Sequence, residues 1–380
     1  MGSKSKRDYL KAIRERYRKA SREEKSVILN EFCQVCGYNR KYAIRRLNRR
    51  SKPAKRRPGP KPIYGADVIV HLKRFWLLSD QMCSKRLVKV IELWLPYYEL
   101  EYGGLPEHIK KKLLQLSPAT IDRLLKPARF KYKTKGKCTT KPGKLLRNVI
   151  KIRPDKASIQ KPGFIEADSV AHCGNSMEGE FVWSITYTDI CSTWTENRAV
   201  WGKGATGFVE QTKDAEQNLP FAISAFWSDN GSEFMNYHFL RYFADRKTPI
   251  NFYRSRPYKK NDNAHVEQKN WTHVRQLLGY DRFDKAELVP LINDLYKVWS
   301  LFQNHFCPTR KLKEKLKINS KYVKTYDKPD TPYQRLLDSP HLTGQAKERL
   351  CSIHSALNPF SLKKDIEKKL KKIFNRSRLP

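Results

Sequence analysis

The stretches FAISAFWSDNGSEF (221–234) and RSRPYKKNDNAHVEQKNWTHVRQLL (254–278) decide the fold of this 380-residue chain. The apolar run that ends at Trp227 predicts a buried strand. Asp229 follows that strand, and the neighbouring Gly231 lets the backbone turn away. The second stretch repeats its apolar residues at helical spacing, which predicts a helix that carries Glu267.

A further strand, FIEADSV (164–170), lies upstream and places Glu166 and Asp168 on one face. We therefore expect Asp168, Asp229 and Glu267 to converge at one edge of a sheet. Crowded carboxylates disfavour joint ionisation, and divalent metal is the usual remedy. Two Mg²⁺ ions about 3.5–4 Å apart clamp the attacking and leaving oxygens of an in-line phosphoryl displacement. The sequence thus predicts metal-dependent cutting or joining of a phosphodiester.

Three blocks carry a resemblance to a known family: DNGSEF (229–234), SRPY with KKNDNAHVEQKN (255–270), and the strand with Asp168 and Ser169. Together they resemble the catalytic core of DDE transposases and retroviral-type integrases, over roughly residues 160–305. By position, the resemblance implies that Asp168, Asp229 and Glu267 are the catalytic, metal-binding triad. It also implies that Asn270 matches the Asn one turn after the Glu. The separation of Asp229 and Glu267 leaves 37 residues between them, slightly more than is typical, which implies a small insertion.

The fold class we predict is a multidomain α plus α/β chain. The resemblance implies an RNase H-like catalytic domain, a mixed five-stranded sheet with flanking helices in the order βββαβαβα. The expected parts are a helix-turn-helix domain (1–50), a basic Pro-rich linker (51–65), a second helical, helix-turn-helix-like domain (66–127), a basic linker (128–160), the catalytic domain (161–305) and a basic C-terminal region (306–380). Within the catalytic domain we expect strands at 164–170, 180–190, 193–202, 221–227 and 251–255, and helices at 204–218, 233–246, from 262, and at 286–304.

The N-terminal segment has the pattern of a helix-turn-helix. Ser21 followed by Glu24 predicts a capped helix start, and Gly37 predicts the helix end. The expected inward positions are Ile28, Phe32 and Val35 on the first helix and Ala43, Ile44 and Leu47 on the second (39–50). The expected outward, DNA-binding positions of the second helix are Arg40, Lys41, Arg45 and Arg46. Such a helix suits a major groove; the alternative is an ordinary helical hairpin with a solvated basic face.

Three later segments are candidates for contact with DNA. Ser117 and Pro118 predict a helix start, and the helix 118–126 is a candidate second recognition helix. The linker at 51–65 either lies along DNA or is only a tether. The amphipathic tail 361–378 either contacts DNA or a partner, or packs on the domain.

The charge balance predicts a polyanionic partner. Lys and Arg total 77 against 38 Asp and Glu, a formal net charge of +39. No apolar run is long enough to span a membrane, and no signal or myristoylation pattern opens the chain, so we expect nucleic acid in the bacterial cytoplasm or nucleoid rather than a membrane. Of eight cysteines only Cys33 and Cys36 are close, and we interpret them as buried thiols rather than metal ligands.

Several polar residues near the triad have alternative roles. Glu166 is the alternative to Asp168 as a metal ligand, and we expect it to be structural or to support a ligand. Asp189 is expected at a hairpin corner, and Asp262 and Glu233 in first turns of helices. His172 either reaches substrate or is structural. The candidates for holding DNA phosphates near the site are Lys259, Lys260, Lys269, His273 and Arg275, and Asn270 is expected to orient DNA or a ligand.

The function we predict is that of an insertion-sequence transposase or integrase. Two Mg²⁺ ions, replaceable by Mn²⁺, support cleavage at the element's ends and strand transfer of the freed 3′-OH into target DNA. The expected partners are double-stranded DNA and further copies of the chain in a synaptic complex; the need for a helper ATPase stays open. The alternatives are a hydrolytic nuclease of the same fold and a catalytically silent DNA-binding regulator.

Overall fold

The computed structural model describes residues 2–49, 63–130, 151–152, 159–229, 231–255, 264–318 and 321–378. The chain forms two compact units, Met1–Ile63 and Tyr64–Pro380. Most of the two predicted basic linkers lies outside the described residues. None of the helices in the described ranges is long and apolar enough to cross a lipid bilayer.

The first unit consists of helices α1 (Ser3–Lys19), α2 (Arg22–Cys36) and α3 (Arg40–Asn48). The predicted capping box is confirmed, since Ser21 Oγ accepts from Glu24 N and the Glu24 carboxylate accepts from Ser21 N. Gly37 ends α2 with φ at 67°, a left-handed conformation that glycine adopts without strain.

The core of the first unit corrects two predicted inward positions. Phe32 and Leu47 are fully buried, as expected, but Val35 is 44% exposed and Ile44 is 37% exposed. Cys36, four residues after Phe32, takes the inward place instead of Val35. The buried stripe of α2 is therefore shifted relative to the prediction, and that of α3 is narrower than predicted.

The second unit opens with helices α4 (Ala66–Leu78), α5 (Ser84–Tyr102), α6 (Glu107–Leu114) and α7 (Pro118–Phe130). The predicted start of α7 is confirmed, because Ser117 Oγ accepts from Thr120 N at 3.2 Å. These helices are not a separate domain. The Trp94 ring packs near Phe302 and Phe360, and its Nε1 donates to the carbonyl of Phe306 at 2.9 Å. The prediction of an independent domain at 66–127 was wrong because its apolar residues share a core with later helices.

The central sheet consists of strands β1 (Lys151–Ile152), β2 (Phe164–Ala171), β3 (Val182–Asp189), β4 (Thr195–Trp201), β5 (Ala225–Ser228) and β6 (Asn251–Arg254). Its order is β1-β6-β5-β2-β3-β4. Strand β2 pairs antiparallel with β3, which pairs antiparallel with β4, whereas β5 is parallel to β2 and to β6. The predicted mixed five-stranded sheet is confirmed, and the short β1 extends it by parallel pairing with β6.

The helices around and after the sheet are α8 (Ala205–Gln217), α9 (Tyr237–Ala244), α10 (Ala264–Lys269), a π-helical turn (Asn270–Arg275), α11 (Gln276–Leu278), α12 (Leu288–Phe306), α13 (Pro332–Leu337), α14 (Gly344–Ser355) and α15 (Pro359–Arg378). The order from β2 to α10 is the predicted βββαβαβα. Between α12 and α13 lies a hairpin, β7 (Leu312–Ile318) and β8 (Lys321–Tyr326), which we did not predict.

The C-terminal helix settles one open interpretation. Phe360, Ile366 and Ile373 of α15 are buried in the core that α12 also lines. Arg376 donates two hydrogen bonds, from Nε and Nη2, to the carboxylate of Glu287, the residue that precedes α12. The tail therefore packs on the second unit through its apolar face, as the simpler alternative predicts.

Candidate active site

The two strand carboxylates lie side by side at one edge of the sheet. Ala167 of β2 is in register with Ser228 of β5, so Asp168 and Asp229 are the next residues along two parallel neighbours. Paired residues of neighbouring strands point to the same face of a sheet. Each carboxylate is oriented by a local backbone donor at 2.8 Å, Ser169 N for Asp168 and Gly231 N for Asp229.

The electrostatics of this pair are unfavourable for joint ionisation. Burial, followed by the charge of Asp229, raises the pKa of Asp168 well above its usual value. Burial, followed by the charge of Glu233, raises the pKa of Asp229 to about 6. The charge of Glu267 raises the pKa of both groups further. Negative charge is therefore concentrated here beyond what the described residues neutralise.

The helix that carries Glu267 is fixed against β2 by two polar contacts. Glu166 is fully buried, and its Oε2 accepts from the backbone N–H of Val266 at 3.2 Å. This bond gives Glu166 the structural role that we expected. One turn after the exposed Glu267, Asn270 Nδ2 donates to Asp168 Oδ2 at 2.7 Å. The helix thus links the third carboxylate to the strand pair through Asn270.

A π-helical turn interrupts this helix where an uninterrupted α-helix was predicted. It covers Asn270–Arg275, directly after α10 and before α11. Single π-turns inside α-helices occur frequently at functional sites, because the wider turn re-aims side chains. Here the turn begins at the residue that bonds Asp168.

Glu233 is a fourth carboxylate at the site, and its predicted position in the first turn of a helix was wrong. Helix α9 begins at Tyr237, capped by Asn236. Glu233 lies in the preceding turn, is buried, and accepts from Ser169 Oγ at 2.7 Å. Its second oxygen is 2.9 Å from the Lys203 ammonium.

Lys203 and Gly231 lie next to Glu233, and we predicted a turn at Gly231 but no role for Lys203. Lys203 also lowers the pKa of Asp229, so it is a cation within reach of the pair. A Cβ on Gly231 would lie 2.6 Å from a Glu233 carboxylate oxygen, too close for any side chain unless Glu233 moves. The spacing in DNGSEF was a signal for Glu233 and Gly231; nothing in the sequence points to Lys203.

Three of the five basic residues predicted to hold phosphates near the site have side chains that are buried or bonded to the protein. Lys269 is buried, which lowers its pKa to about 7, and His273 is buried, which lowers its pKa well below the usual value. Arg275 donates to the carbonyl of Ala171 at 3.0 Å. In this conformation Lys269 and His273 lie inside the protein, and Arg275 is engaged with the backbone of β2. Lys259, Lys260 and Asp262 lie outside the described residues.

The remaining polar candidates have structural surroundings. His172 is fully buried, its Nε2 is 2.7 Å from Ser184 Oγ, and burial lowers its pKa to about 3. Asp189 sits at the predicted hairpin corner, where it accepts from the backbone N–H and the hydroxyl of Ser192, both at 2.6 Å. Neither side chain belongs to the acidic edge, the part of the sheet edge that carries Asp168, Asp229 and Glu233.

The predicted recognition helix α3 presents a basic surface. Arg40, Lys41 and Arg45 are exposed, and Arg46 is half-buried. Arg40 also hydrogen-bonds Asn30 and, at 3.3 Å, Ser26 of α2. The exposed basic face that the sequence predicts is therefore present on α3.

The carboxylates of the acidic edge are suitable donors for a hard divalent cation, although they do not form a complete ligand set in this conformation. Within the described residues, no three His, Cys, Asp or Glu side chains lie close enough to form a metal-ligand set. Carboxylates are nevertheless the donors that Mg²⁺ prefers, and a cation would relieve the repulsion that raises the pKa of Asp168 and Asp229. Because Asn270 occupies Asp168 Oδ2, metal binding at that oxygen requires the amide to move or share it.

Comparisons with known proteins found one clear relative. No family model matches the chain. The uncharacterized protein y4rM of Sinorhizobium fredii (strain NBRC 101917 / NGR234) is 37% identical over 333 residues, which cover 86% of this chain and 94% of that protein. Among solved structures, the catalytic core domain of BIV integrase matches 47% of this chain and 96% of its own, with 14% identity and a TM-score of 0.30. A likeness that distant carries no argument about activity.

Proposed function

The chain belongs to the same protein family as y4rM, whose name states no activity, and we propose that it is a DDE-type transposase. In this proposal it cleaves DNA at the ends of a mobile element and joins the freed 3′-OH to target DNA. The observation that carries the proposal is the meeting of Asp168 and Asp229 at neighbouring strand ends, with Asn270 of the Glu267 helix bonded to Asp168.

In the proposed site, some residues bind metal and others position the reacting groups. Asp168, Asp229 and Glu267 would hold two Mg²⁺ or Mn²⁺ ions, which supply charge neutralisation and activation of the attacking oxygen. Asn270 fixes the orientation of Asp168. Lys203 neutralises Glu233, so that this fourth carboxylate adds less repulsion where a DNA phosphate must approach. The chain contributes preorganisation and needs no covalent enzyme intermediate.

DNA binding is the second part of the proposal. The net charge of +39 favours a polyanion, and the exposed Arg40, Lys41 and Arg45 of α3 suit a major groove at the element's ends. Helix α7 is a candidate for a second contact. Paired cleavage of two ends calls for further copies of the chain, in a nucleoid-associated, cytoplasmic complex.

A strand-transfer assay tests the proposal against its two alternatives. The purified chain is incubated with Mg²⁺ or Mn²⁺ and a labelled oligonucleotide that carries the sequence flanking its gene. Joined products support a transposase, whereas hydrolysis alone supports a nuclease. A shift in mobility without any cleavage supports a silent regulator. Asp229→Asn should abolish both products and leave the mobility shift intact, and the matched control Asp294→Asn, an exposed acid of α12, should change neither.

A further inference from the structure

One tryptophan stands apart from the other seven in its exposure. Trp271 is 46% exposed. The tryptophans that are buried or half-buried are Trp76, Trp94, Trp183, Trp194, Trp201, Trp227 and Trp299. The Trp271 indole belongs to none of the hydrophobic clusters and makes no hydrogen bond or ring contact with a described residue. A single exposed apolar residue needs no explanation by itself. Whether the exposure of Trp271 indicates a function therefore depends on where it lies.

That position is next to the acidic edge. Trp271 follows Asn270, whose amide bonds Asp168 at 2.7 Å, and lies four residues after Glu267. Residues three and four apart on a helix are surface neighbours. Trp271 is therefore held on the face that carries the third carboxylate, at the start of the π-helical turn.

Few other side chains of this helix are exposed and available for contact with DNA. Within the described span 264–278, the exposed residues are Glu267, Gln268, Trp271 and Gln276. Lys269 and His273 are buried, and Arg275 bonds the backbone of β2. The exposed residues of this span thus offer one aromatic ring, two amides and the Glu267 carboxylate, and none of them is a cation. Carboxylates repel DNA phosphates. A DNA strand bound at this edge therefore gains from contacts that do not depend on phosphate charge.

We propose that Trp271 forms a nucleobase-stacking subsite, which holds an unpaired base next to the phosphate that reacts. This inference rests on the proposed function, since it requires DNA at the acidic edge. The ligand is an unpaired base because the faces of paired bases are covered by their neighbours, whereas a frayed or single-stranded base offers its face to an aromatic side chain.

The test separates base contacts from phosphate contacts by binding alone. The full chain is titrated, in EDTA, with an oligothymidylate of about 12 nucleotides and with an abasic strand of equal phosphate number. The wild type should prefer the oligothymidylate. Trp271→Ala should weaken oligothymidylate binding roughly 5- to 100-fold and leave abasic-strand binding unchanged, and Trp271→Phe should retain most of the preference. Oligothymidylate should also quench the tryptophan emission of the wild type, and the quenching should vanish in both variants.

Tyr326→Ala is the matched control, since Tyr326 is a 40% exposed aromatic residue on hairpin strand β8. It should keep the preference for oligothymidylate. The proposal is overturned if Trp271→Ala retains the preference, if it weakens both strands equally, or if its main effect is a smaller oligomer in sedimentation. Because no metal is present, the result is independent of cleavage. A chain that stacks bases but never cuts DNA would refute the transposase proposal and leave only a base-binding site at Trp271; cleavage without stacking would refute the stacking subsite and leave the transposase proposal standing.

Discussion

Asp229→Asn should stabilise the metal-free protein at neutral pH while it removes activity. The carboxylate is forced to ionise beside other acids, and burial together with Glu233 raises its pKa from 3.8 to about 6. A raised pKa for an acid means that its contribution to stability is present below pH 3.8 and is lost as the pH rises through about 6. An amide of the same shape does not ionise and escapes that loss.

The size of the effect follows from the pKa difference. One unit corresponds to about 1.36 kcal/mol, so the shift of Asp229 amounts to about 3 kcal/mol when all of it is expressed. Asp168 and Glu233 share the same repulsion and relax when one charge is removed, so we expect about 1–3 kcal/mol at pH 7.5. The difference between variant and wild type should shrink to near zero at pH 4.

The assay is urea or thermal unfolding in EDTA across pH 4 to pH 8, with Asp294→Asn as the control. Mg²⁺ at pH 7.5 should then stabilise the wild type but not Asp229→Asn, because a ligand stabilises only the state that binds it. A variant that is less stable than the wild type at pH 7.5 would refute the argument from repulsion. A difference that does not change with pH would refute it as well.

Three further substitutions test other parts of the molecule. Gly231→Ala should lower cleavage strongly while DNA binding persists in a mobility-shift assay, because its Cβ would displace the Glu233 carboxylate 2.6 Å away. Ile366→Ala should lower the free energy of unfolding by about 2–5 kcal/mol in urea melts, since this fully buried residue anchors the C-terminal helix; an unchanged melt would show that the helix is dispensable. Arg45→Ala combined with Arg46→Ala should weaken binding to end DNA and reduce the salt dependence by about one to two units of slope, and a slope equal to that of the wild type would remove α3 from the DNA interface.

Local signals in the sequence predicted those features that neighbouring residues determine. Ser21 and Gly37 bracket α2 as expected, because a cap and a left-handed glycine act within a few residues. The strand Ala225–Ser228 was recognisable because it is buried along its length and three of its four residues are apolar, although the predicted strand 221–227 began four residues too early. The order of strands and helices in the sheet domain followed from such segments together with the family resemblance.

Features that depend on distant contacts were missed. Trp94 and Leu87 have the spacing of an independent helical core, and only the structure shows that they pack with α12 and α15. Lys203 follows a strand end with no signal of its own, and it meets Glu233 through the turn that precedes α9. The burial of Lys269, which was predicted to hold a phosphate, was missed for the same reason, since helical periodicity does not reveal which polar residue is buried.

The π-helical turn joins these observations into one account of the site. An uninterrupted α-helix keeps the pattern of Val266, Asn270 and Val274, so the sequence gives no indication that the helix widens at Asn270. The widening coincides with the hydrogen bond from Asn270 to Asp168 and leaves Trp271 exposed beside it. Asp168 Oδ2 accepts this hydrogen bond and belongs to a proposed metal ligand, so a cation bound there would require the amide to move or to share the oxygen. We therefore expect a substitution at Asp168, Asn270 or Trp271 to affect the other two residues.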